Sequence, residues 1–159
     1  VDPYYLAQKA KKAGYYPQIV LSGRRLNNSI GPYVGSQVVK LLMKKGKVIN
    51  DSKVLVCGIT FKENCPDIRN SRVIDIVTEL GEFEVKVDVY DPWANAEEVK
   101  HEYGIDLKEK ISIGDYDGIV LAVAHNEFKE ILNTSTLSSS QVVYDVKSIL
   151  PKELVTARL

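Results

Sequence analysis

The sequence predicts an α/β fold, in which a Rossmann-like parallel sheet with flanking helices is preceded by an N-terminal helical segment. Hydrophobic residues recur at helical spacing in the first part of the chain, and from Lys53 onwards short apolar runs alternate with amphipathic ones. Repeated βα units of this kind form a doubly wound parallel sheet with right-handed crossovers. We therefore expect a helical domain over residues 1–50 and a Rossmann-like domain over residues 51–159.

The first predicted helix covers residues 3–13. Aspartate is a favoured N-cap and proline suits the first helical position, so Asp2-Pro3 marks its start, and Gly14 is the expected stop. The chain begins at Val1, immediately before this helix. We therefore expect it to be a piece of a longer protein.

A longer helix is predicted over residues 17–45. Apolar residues at every fourth position form a stripe along it: Ile30, Val34, Val38 and Leu42. We expect another chain to bury part of this stripe, in a homodimer formed through the 17–45 helix. Because proline lacks a backbone N–H group, Gly31-Pro32 should kink the helix or divide it in two.

The second part of the chain is predicted to alternate strands and helices. The nearly continuous apolar run over 117–124 is typical of a strand buried in a parallel sheet. Amphipathic runs between the apolar ones predict the helices. The predicted strands are 54–59, 85–90, 117–124 and 142–147, with a short further strand within 105–113, and the predicted helices are 71–80, 95–103 and 127–132.

Composition and charge argue against several classes of protein. The chain has 159 residues, its 21 basic residues balance 21 acidic ones, and nothing indicates a partner that is a nucleic acid or a membrane. No apolar run approaches the roughly 18 residues that span a bilayer. Two cysteines, Cys57 and Cys65, are too few for a disulfide framework and lack metal-ligand spacing. These features favour a cytoplasmic protein without a metal site.

The most informative stretch is the loop after the first strand, Phe61–Arg72, which reads Phe-Lys-Glu-Asn-Cys-Pro-Asp-Ile-Arg-Asn-Ser-Arg. Three cations, Lys62, Arg69 and Arg72, lie between the end of that strand and the next helix. Ligands of open α/β sheets bind at the carboxyl ends of the strands, and a helix start adds free N–H groups and positive potential. The loop is therefore a candidate anion site.

The same loop lacks the usual dinucleotide motif. In place of G-x-G-x-x-G it reads Gly58-Ile-Thr-Phe-Lys-Glu63, so its backbone cannot approach a pyrophosphate as that motif requires. Either the sheet binds no dinucleotide in that way, or side chains such as Lys62 and Arg69 bind the anion by charge-assisted hydrogen bonds. The alternative is a solvated loop whose cations pair with Glu63 and Asp67.

The loop resembles the signature loop of the C-terminal domain of the UDP-glucose/GDP-mannose dehydrogenases, in the branch that acts on UDP-N-acetylhexosamines. The resemblance covers essentially the whole chain in the right order, which makes it more specific than one short motif. The other matching segments are Val1-Asp-Pro-Tyr-Tyr-Leu6, Gly23-Arg-Arg-Leu-Asn27, Val89-Tyr-Asp-Pro-Trp93, Leu121-Ala-Val-Ala-His125 and Tyr144-Asp-Val-Lys-Ser-Ile-Leu-Pro151.

The resemblance implies an NAD-dependent oxidoreductase that converts the C6 alcohol of a UDP-N-acetylhexosamine to the uronic acid in two hydride transfers. In this family an N-terminal Rossmann domain binds NAD, a central helical domain forms the dimer, and a C-terminal Rossmann-like domain binds the nucleotide sugar. Residues 1–50 would be the end of the central domain and residues 51–159 the UDP-binding domain. NAD would be bound mainly outside this chain, and the product would serve polysaccharide biosynthesis.

The resemblance also implies residues of the catalytic step. The family's nucleophilic cysteine would lie just before Val1, so this piece alone is expected to be inactive. Asp2 matches the acidic residue that handles the proton of the water that hydrolyses the family's thioester intermediate. In the chain by itself, Asp2 is interpreted as a helix N-cap.

The remaining site residues follow from position in the same way. Phe61 and Lys62 match residues of the nucleotide-sugar site, and Arg69 matches an arginine that reaches the bound NAD. Lys147 stands where UDP-glucose enzymes have an arginine that binds the sugar nucleotide, and the change loses the bidentate fork. Arg24 either contacts substrate phosphate or carboxylate or belongs to a solvated or salt-bridged helix face.

Other polar residues near the strand ends have alternative interpretations. Cys57 lies in an apolar strand and is interpreted as a core residue, and neither it nor Cys65 is expected to be catalytic. His125 either contacts the nucleotide or caps a loop. Asp91 is interpreted as part of a structural turn, with Trp93 packed on the sheet edge, in preference to a ribose ligand.

Two further functions fit the sequence. The chain could be a stand-alone Rossmann-like regulatory module that senses a nucleotide, or an oligomerisation element built on the 17–45 helix. The sequence does not distinguish UDP-N-acetylglucosamine from the galactosamine and mannosamine epimers.

Overall fold

The computed structural model describes residues 2–159, with the exception of the Asp2 side chain. It divides into two compact units, one that ends at Ile30 and one that comprises Gly31–Leu159. The division lies inside the second helix, whereas the sequence predicts a domain boundary after residue 50. The assignment of residues 1–50 to a central dimerisation domain stays a prediction.

The first unit contains the helix α1 (Asp2–Lys12) and the first part of α2 (Gln18–Lys44). Helix α2 runs through Pro32 as one element, so the predicted division at Gly31-Pro32 is wrong. A single proline removes one hydrogen bond of the helical ladder, and buried side chains after Pro32 hold the remaining turns.

The second unit is built on a five-stranded sheet in which all neighbouring strands are parallel, in the order β2-β1-β3-β4-β5. The predicted α/β fold is therefore confirmed. The strands are β1 (Lys53–Cys57), β2 (Lys86–Tyr90), β3 (Gly118–Leu121), β4 (Val142–Asp145) and β5 (Ala157–Arg158); the helices are α3 (Val73–Glu82), α4 (Ala96–Tyr103) and α5 (Glu127–Ile131), with short 3-10 turns at Ile49–Asp51, Ile113–Asp115 and Lys152–Leu154.

Two elements differ from the sequence prediction. The predicted strand within 105–113 is replaced by an isolated bridge between Val89 and Leu107. Strand β5 was not predicted, because two residues are too few to show a periodic pattern. It completes the sheet beside β4, where Asp145 is paired with Arg158.

The second part of α2 packs within the sheet-containing unit. Val34, Val38 and Leu42 are completely buried in this single chain. The expectation that another chain covers this stripe is therefore wrong for these three residues, because they belong to the hydrophobic core of their own unit. On α3, Glu79 accepts a 2.5 Å hydrogen bond from the Ser36 hydroxyl, which joins the two helices.

The register aligns the carboxyl ends of four strands in one row. Cys57 at the end of β1 lies opposite Tyr90 of β2 and Leu121 of β3, and Leu121 lies opposite Asp145 of β4. The loops that follow these strands therefore emerge at a common edge of the sheet. Within residues 2–159, no helix combines the length and hydrophobicity needed to cross a lipid bilayer.

Substitution of Gly58 by alanine tests the close packing of the backbone after β1 against Val123. Gly58 has φ +91°, and an added Cβ would overlap with the Val123 side chain, 2.8 Å from its Cγ2 atom. We expect Gly58→Ala to lower the free energy of unfolding by about 2–4 kcal/mol, measured by urea denaturation. Gly81→Ala is the matched control, because a Cβ at that position of α3 meets open space and should be neutral or stabilising. Equal losses in both variants would contradict this view of the β1 turn.

Candidate functional site

The candidate site lies at the carboxyl edge of the sheet, where the segments after β1, β2, β3 and β4 emerge side by side. The segment after β1 runs from Gly58 to Arg72 and carries three of the six predicted site residues, Phe61, Lys62 and Arg69. Each of the other three segments contributes a polar residue at or next to the strand end. These residues are Asp91 after β2, His125 after β3 and Asp145 at the end of β4.

Asp91 is a buried carboxylate that binds two loops at once. Its Oδ2 accepts hydrogen bonds from the backbone N–H groups of Ile59 (2.7 Å) and Thr60 (3.1 Å), in the loop after β1. Its Oδ1 accepts from the N–H groups of Trp93 (2.8 Å) and Ala94 (3.1 Å), in its own turn. The predicted structural turn is confirmed, and Asp91 also holds the neighbouring loop.

Two opposing effects act on the pKa of Asp91. Burial raises the pKa of the carboxyl, but hydrogen bonds from His125 and from the N–H groups of Ile59 and Trp93 outweigh it and leave the pKa below its ordinary value. Asp91 is therefore ionised at neutral pH. A buried charge of this kind is tolerated because hydrogen-bond donors surround it.

His125 is completely buried and contacts the same loop. Its Nδ1 accepts a 2.9 Å hydrogen bond from the backbone N–H of Asn64, and its Nε2 lies 3.1 Å from Asp91 Oδ2 and 3.0 Å from Thr60 Oγ1. The ring of Trp93 stacks on the imidazole at a centroid distance of 6.2 Å. Of the two predicted roles, the structure favours loop capping for His125, and it brings Trp93 onto this histidine.

Phe61 and Lys62 lie in the middle of the loop that these contacts hold. Their backbone is bonded on both sides: the Phe61 N–H donates to the Asp67 carbonyl (2.7 Å), and the Lys62 carbonyl accepts from the Thr60 hydroxyl (3.1 Å). Both side chains are exposed, and that of Phe61 is 59% accessible. A fixed backbone thus presents an aromatic ring and a cation to solvent.

Arg69 lies later in the same loop and is paired with Asp67. Its Nε and its NH2 group donate to the two carboxylate oxygens at 2.9 and 2.8 Å, and its backbone N–H donates to the same carboxylate at 3.0 Å. These hydrogen bonds lower the pKa of Asp67 to about 2. Arg69 is thus paired with Asp67 within the loop, and its side chain remains 81% exposed. Its predicted contact with NAD stays a prediction.

Lys147 follows β4 at the same sheet edge. Asp145, which is completely buried, accepts hydrogen bonds from the backbone N–H groups of Lys147 (3.1 Å) and Leu150 (2.9 Å). Ser148 between them has φ +56°. The fold therefore gives Lys147 a fixed backbone and an exposed side chain, as it does Lys62.

Two predicted site residues lie outside this unit. Arg24 belongs to the first unit, where its guanidinium lies over the ring of Tyr4, 2.9 Å from the ring centroid. The side chain of Asp2 lies outside the described residues. Their predicted roles stay predictions.

The two cysteines differ in their surroundings. Burial, reinforced by the negative charge of Asp91, raises the pKa of the Cys57 thiol above its ordinary value, so Cys57 is a core residue as predicted. Cys65 is half-buried in the loop. Among the side chains that the structure describes, His, Cys, Asp and Glu form no cluster that could hold a metal ion.

The residues present at the end of β1 do not fit a dinucleotide cradle. The N–H groups of Ile59 and Thr60, which follow the strand directly, donate to the Asp91 carboxylate. Gly58 packs against Val123, so its lack of a side chain leaves no space for a phosphate. The N–H groups that directly follow β1 are therefore not available to an anion, whereas the side chains of Lys62 and Lys147 at this edge are exposed.

A family model for the UDP binding domain of the UDP-glucose/GDP-mannose dehydrogenase family matches residues 55–152. The chain belongs to this family. It is 49% identical over its full length to the UDP-N-acetyl-D-glucosamine 6-dehydrogenase of Salmonella typhi and 51% identical to that of Pseudomonas aeruginosa. It spans 38% of the length of each of these relatives.

The fold of the family agrees with this assignment. The crystal structure of the NDP-N-acetyl-D-galactosaminuronic acid dehydrogenase from Methanosarcina mazei Go1 aligns with 94% of the chain at a TM-score of 0.81 and 20% identity. The chain corresponds to 33% of that protein. This likeness shows the fold, and the family model over residues 55–152 confirms the resemblance inferred from the loop Phe61–Arg72 at the level of the family.

Sequence reasoning missed the residues that hold the family's loop in place. Thr60, Asn64 and Asp145 were not singled out, although each makes a contact that fixes the backbone beside Lys62 or Lys147. A usable signal was present for Asp145, because an acidic residue at the end of an apolar strand must find donors in the following loop. Thr60 and Asn64 carried no such signal.

Substitution of Asp91 by asparagine tests the role of this carboxylate. We expect Asp91→Asn to lower the free energy of unfolding at pH 7 by about 2 kcal/mol, since charge-assisted bonds to the loop are lost. The folded pKa is below the unfolded one, so the stabilisation is present above about pH 4 and is lost as pH falls through the folded pKa. The difference between wild type and variant should therefore shrink at acidic pH, as measured by urea denaturation.

Asp106→Asn provides the control for this experiment. Asp106 is 81% exposed and pairs with Lys100 on the surface, where an ion pair contributes less than about 1 kcal/mol. A loss for Asp91→Asn that is equally small, or that persists unchanged into acid, would refute the role given to Asp91.

Proposed function

We propose that this chain is the nucleotide-sugar-binding part of an NAD-dependent UDP-N-acetylhexosamine 6-dehydrogenase. The observation that carries the proposal is the loop after β1, whose backbone is fixed by Asp91 and His125 while Phe61 and Lys62 project into solvent. This loop lies within the match to the family's UDP binding domain. An aromatic ring and a cation on a fixed backbone suit a nucleotide with a diphosphate.

The proposed reaction oxidises the C6 primary alcohol of the sugar to a carboxylate. One alcohol, one water and two NAD⁺ give one carboxylate, two NADH and the released protons. Bound NAD supplies the chemistry of hydride acceptance. The residues of this chain bind and orient the substrate, and we assign them no step on the cofactor.

Lys62 is the proposed diphosphate ligand and Phe61 the proposed neighbour of the nucleotide. Lys147, presented by the buried Asp145 on the segment after β4, is proposed as a second cation for the same ligand. Two lysines attract a diphosphate as point charges, without the bidentate geometry of arginine. Arg24 is proposed as a further substrate contact from the first unit.

Arg69 and Asp2 are the proposed links to the cofactor and to the hydrolytic step. Arg69 is 81% exposed, so its guanidinium has donors to offer an NAD phosphate while Asp67 holds it in place. NAD is proposed to be bound mainly by protein outside this chain. Asp2 is proposed to assist the water that releases the acid product.

The proposed sugar is UDP-N-acetyl-D-glucosamine. The proposal is supported by relatives at 49% and 51% identity over the full chain, both named for this sugar. Activity with the galactosamine and mannosamine epimers, compared at equal concentration, tests it. Equal kcat/KM for all three would contradict a preference for the glucosamine derivative.

Lys62→Ala tests the function. We expect the KM of the intact protein for UDP-N-acetyl-D-glucosamine to rise about 10- to 100-fold, because a charged hydrogen bond to the diphosphate is lost. NADH formation followed by absorbance gives the measurement. Lys110→Ala is the control, since Lys110 is an exposed lysine of a different loop. Unchanged kinetics in the Lys62 variant would show that the nucleotide binds elsewhere.

We also propose that the protein forms a homodimer through the first unit. Ile19 and Leu26 of α2 are 90% and 66% exposed in the chain by itself. Both are large apolar side chains on one helix, seven residues apart, and such positions favour contact with another helix. The interface is thus proposed for the N-terminal part of α2, in place of the stripe that is buried in the second unit.

Leu26→Asp tests the dimer. A carboxylate in an apolar interface is poorly solvated, so we expect the variant to sediment as a monomer at micromolar concentration while the wild type sediments as a dimer. Leu26→Met keeps the apolar character and should leave the dimer intact. A dimer that persists with aspartate at this position would exclude this interface.

A further inference from the structure

His125 is a histidine that the proposed chemistry does not use. It lies at the substrate edge of the sheet, yet it is completely buried, with the rings of Trp93 and Phe128 packed against it. It therefore cannot touch a ligand in this conformation. Its polar contacts go to the loop that carries Phe61 and Lys62, and to Asp91.

The hydrogen bonds of the imidazole fix the position of its proton. Nδ1 accepts from the Asn64 backbone N–H, so Nδ1 carries a lone pair and no proton. The remaining proton is on Nε2, which faces the Asp91 carboxylate and the Thr60 hydroxyl oxygen. The hydroxyl proton of Thr60 is in turn donated to the Lys62 carbonyl. One tautomer thus satisfies every group in the chain of contacts.

These contacts reach the loop on both sides of Lys62. On one side, the imidazole bonds to Thr60, whose hydroxyl holds the Lys62 carbonyl. On the other side, it bonds to the N–H of Asn64, a residue with φ +52°, whose side-chain oxygen also accepts from the N–H of Asn126. A left-handed asparagine persists where its surroundings hold it. The imidazole is therefore a fixed spacer between the end of β3 and the loop.

We propose that His125, with its proton on Nε2, is a positioning residue that sets the geometry of the Phe61–Lys62 segment and thereby the affinity for the nucleotide diphosphate. The inference rests on the proposed function of Lys62 in diphosphate binding. His125 acts through the loop backbone and contributes no group to the ligand. Its removal should weaken substrate binding and leave the chemical step intact.

Two substitutions of similar size distinguish the contribution of the Nδ1 hydrogen bond from that of the Nε2 hydrogen bonds. In His125→Asn, the side-chain oxygen occupies the place of Nδ1 and can accept from Asn64. In His125→Gln, the amide reaches the place of Nε2 and the bond to Asn64 is lost. We expect the KM of the intact protein for UDP-N-acetyl-D-glucosamine to rise about tenfold in His125→Gln and less than about threefold in His125→Asn, with kcat within about twofold of wild type in both.

The kinetic test includes a control variant and two results that would overturn the proposal. His101→Gln changes the other histidine, which is exposed on α4, and should leave KM unchanged. Equal KM values in His125→Asn, His125→Gln and wild type would overturn the proposal. So would a fall in kcat alone, because that result indicates a loss of folded protein without a change of the loop.

A double substitution tests whether His125 acts through Lys62. If it does, His125→Gln should add less than about twofold to the KM of Lys62→Ala, since the positioned group is already absent. An independent tenfold increase in the Lys62→Ala background would overturn the proposed route. A wild-type KM in Lys62→Ala itself would instead refute the function proposed for Lys62.

Amide hydrogen exchange tests whether His125 holds the loop, even if Lys62→Ala has a wild-type KM. The amide of Asn64 is held by His125 and should exchange faster in His125→Gln than in His125→Asn, in the peptide that covers residues 59–72. Equal exchange in the two variants would show that the imidazole does not hold the loop, whichever group binds the substrate.

Discussion

The structure of the candidate site depends on one buried carboxylate. The Asp91 carboxylate accepts hydrogen bonds from the backbone N–H groups of Ile59 and Thr60 in one loop and from those of Trp93 and Ala94 in another. A buried charge is costly without donors, so the carboxylate and the two loops must be placed together. This requirement ties the segment after β1 to the end of β2, and its geometry then determines where the loop side chains project.

The same contact explains how this sheet differs from a dinucleotide-binding one. In a glycine-rich cradle, the N–H groups that follow the first strand face a bound phosphate. Here those of Ile59 and Thr60 face a carboxylate of the protein itself, which leaves them unable to hold a ligand. The proposed binding of the diphosphate therefore relies on side chains. Asp145 repeats the arrangement after β4, where it fixes the backbone of Lys147.

Helix α2 shows how packing overrides a local signal. Its sequence contains Pro32 and an apolar stripe, which predict a kinked or divided helix that meets another chain. In the structure the helix is continuous, and the stripe after Pro32 belongs to the core of the sheet-containing unit. Burial of three large aliphatic side chains outweighs the loss of one helical hydrogen bond. In the part of the helix before Pro32, Ile19 and Leu26 are large apolar residues that remain exposed.

The sequence by itself determined the fold class, the family and the loop that carries the candidate site. These depend on patterns along the chain: alternating apolar runs predict βα units, and the long loop motif is local in sequence. It did not reveal strand β5 or the roles of Thr60, Asn64 and Asp145. Those features depend on contacts between residues far apart in sequence, such as His125 with Asn64, and on two-residue pairings too short to leave a pattern. Only the parallel register, which brings four strand ends to one edge, decides which backbone groups meet which side chains.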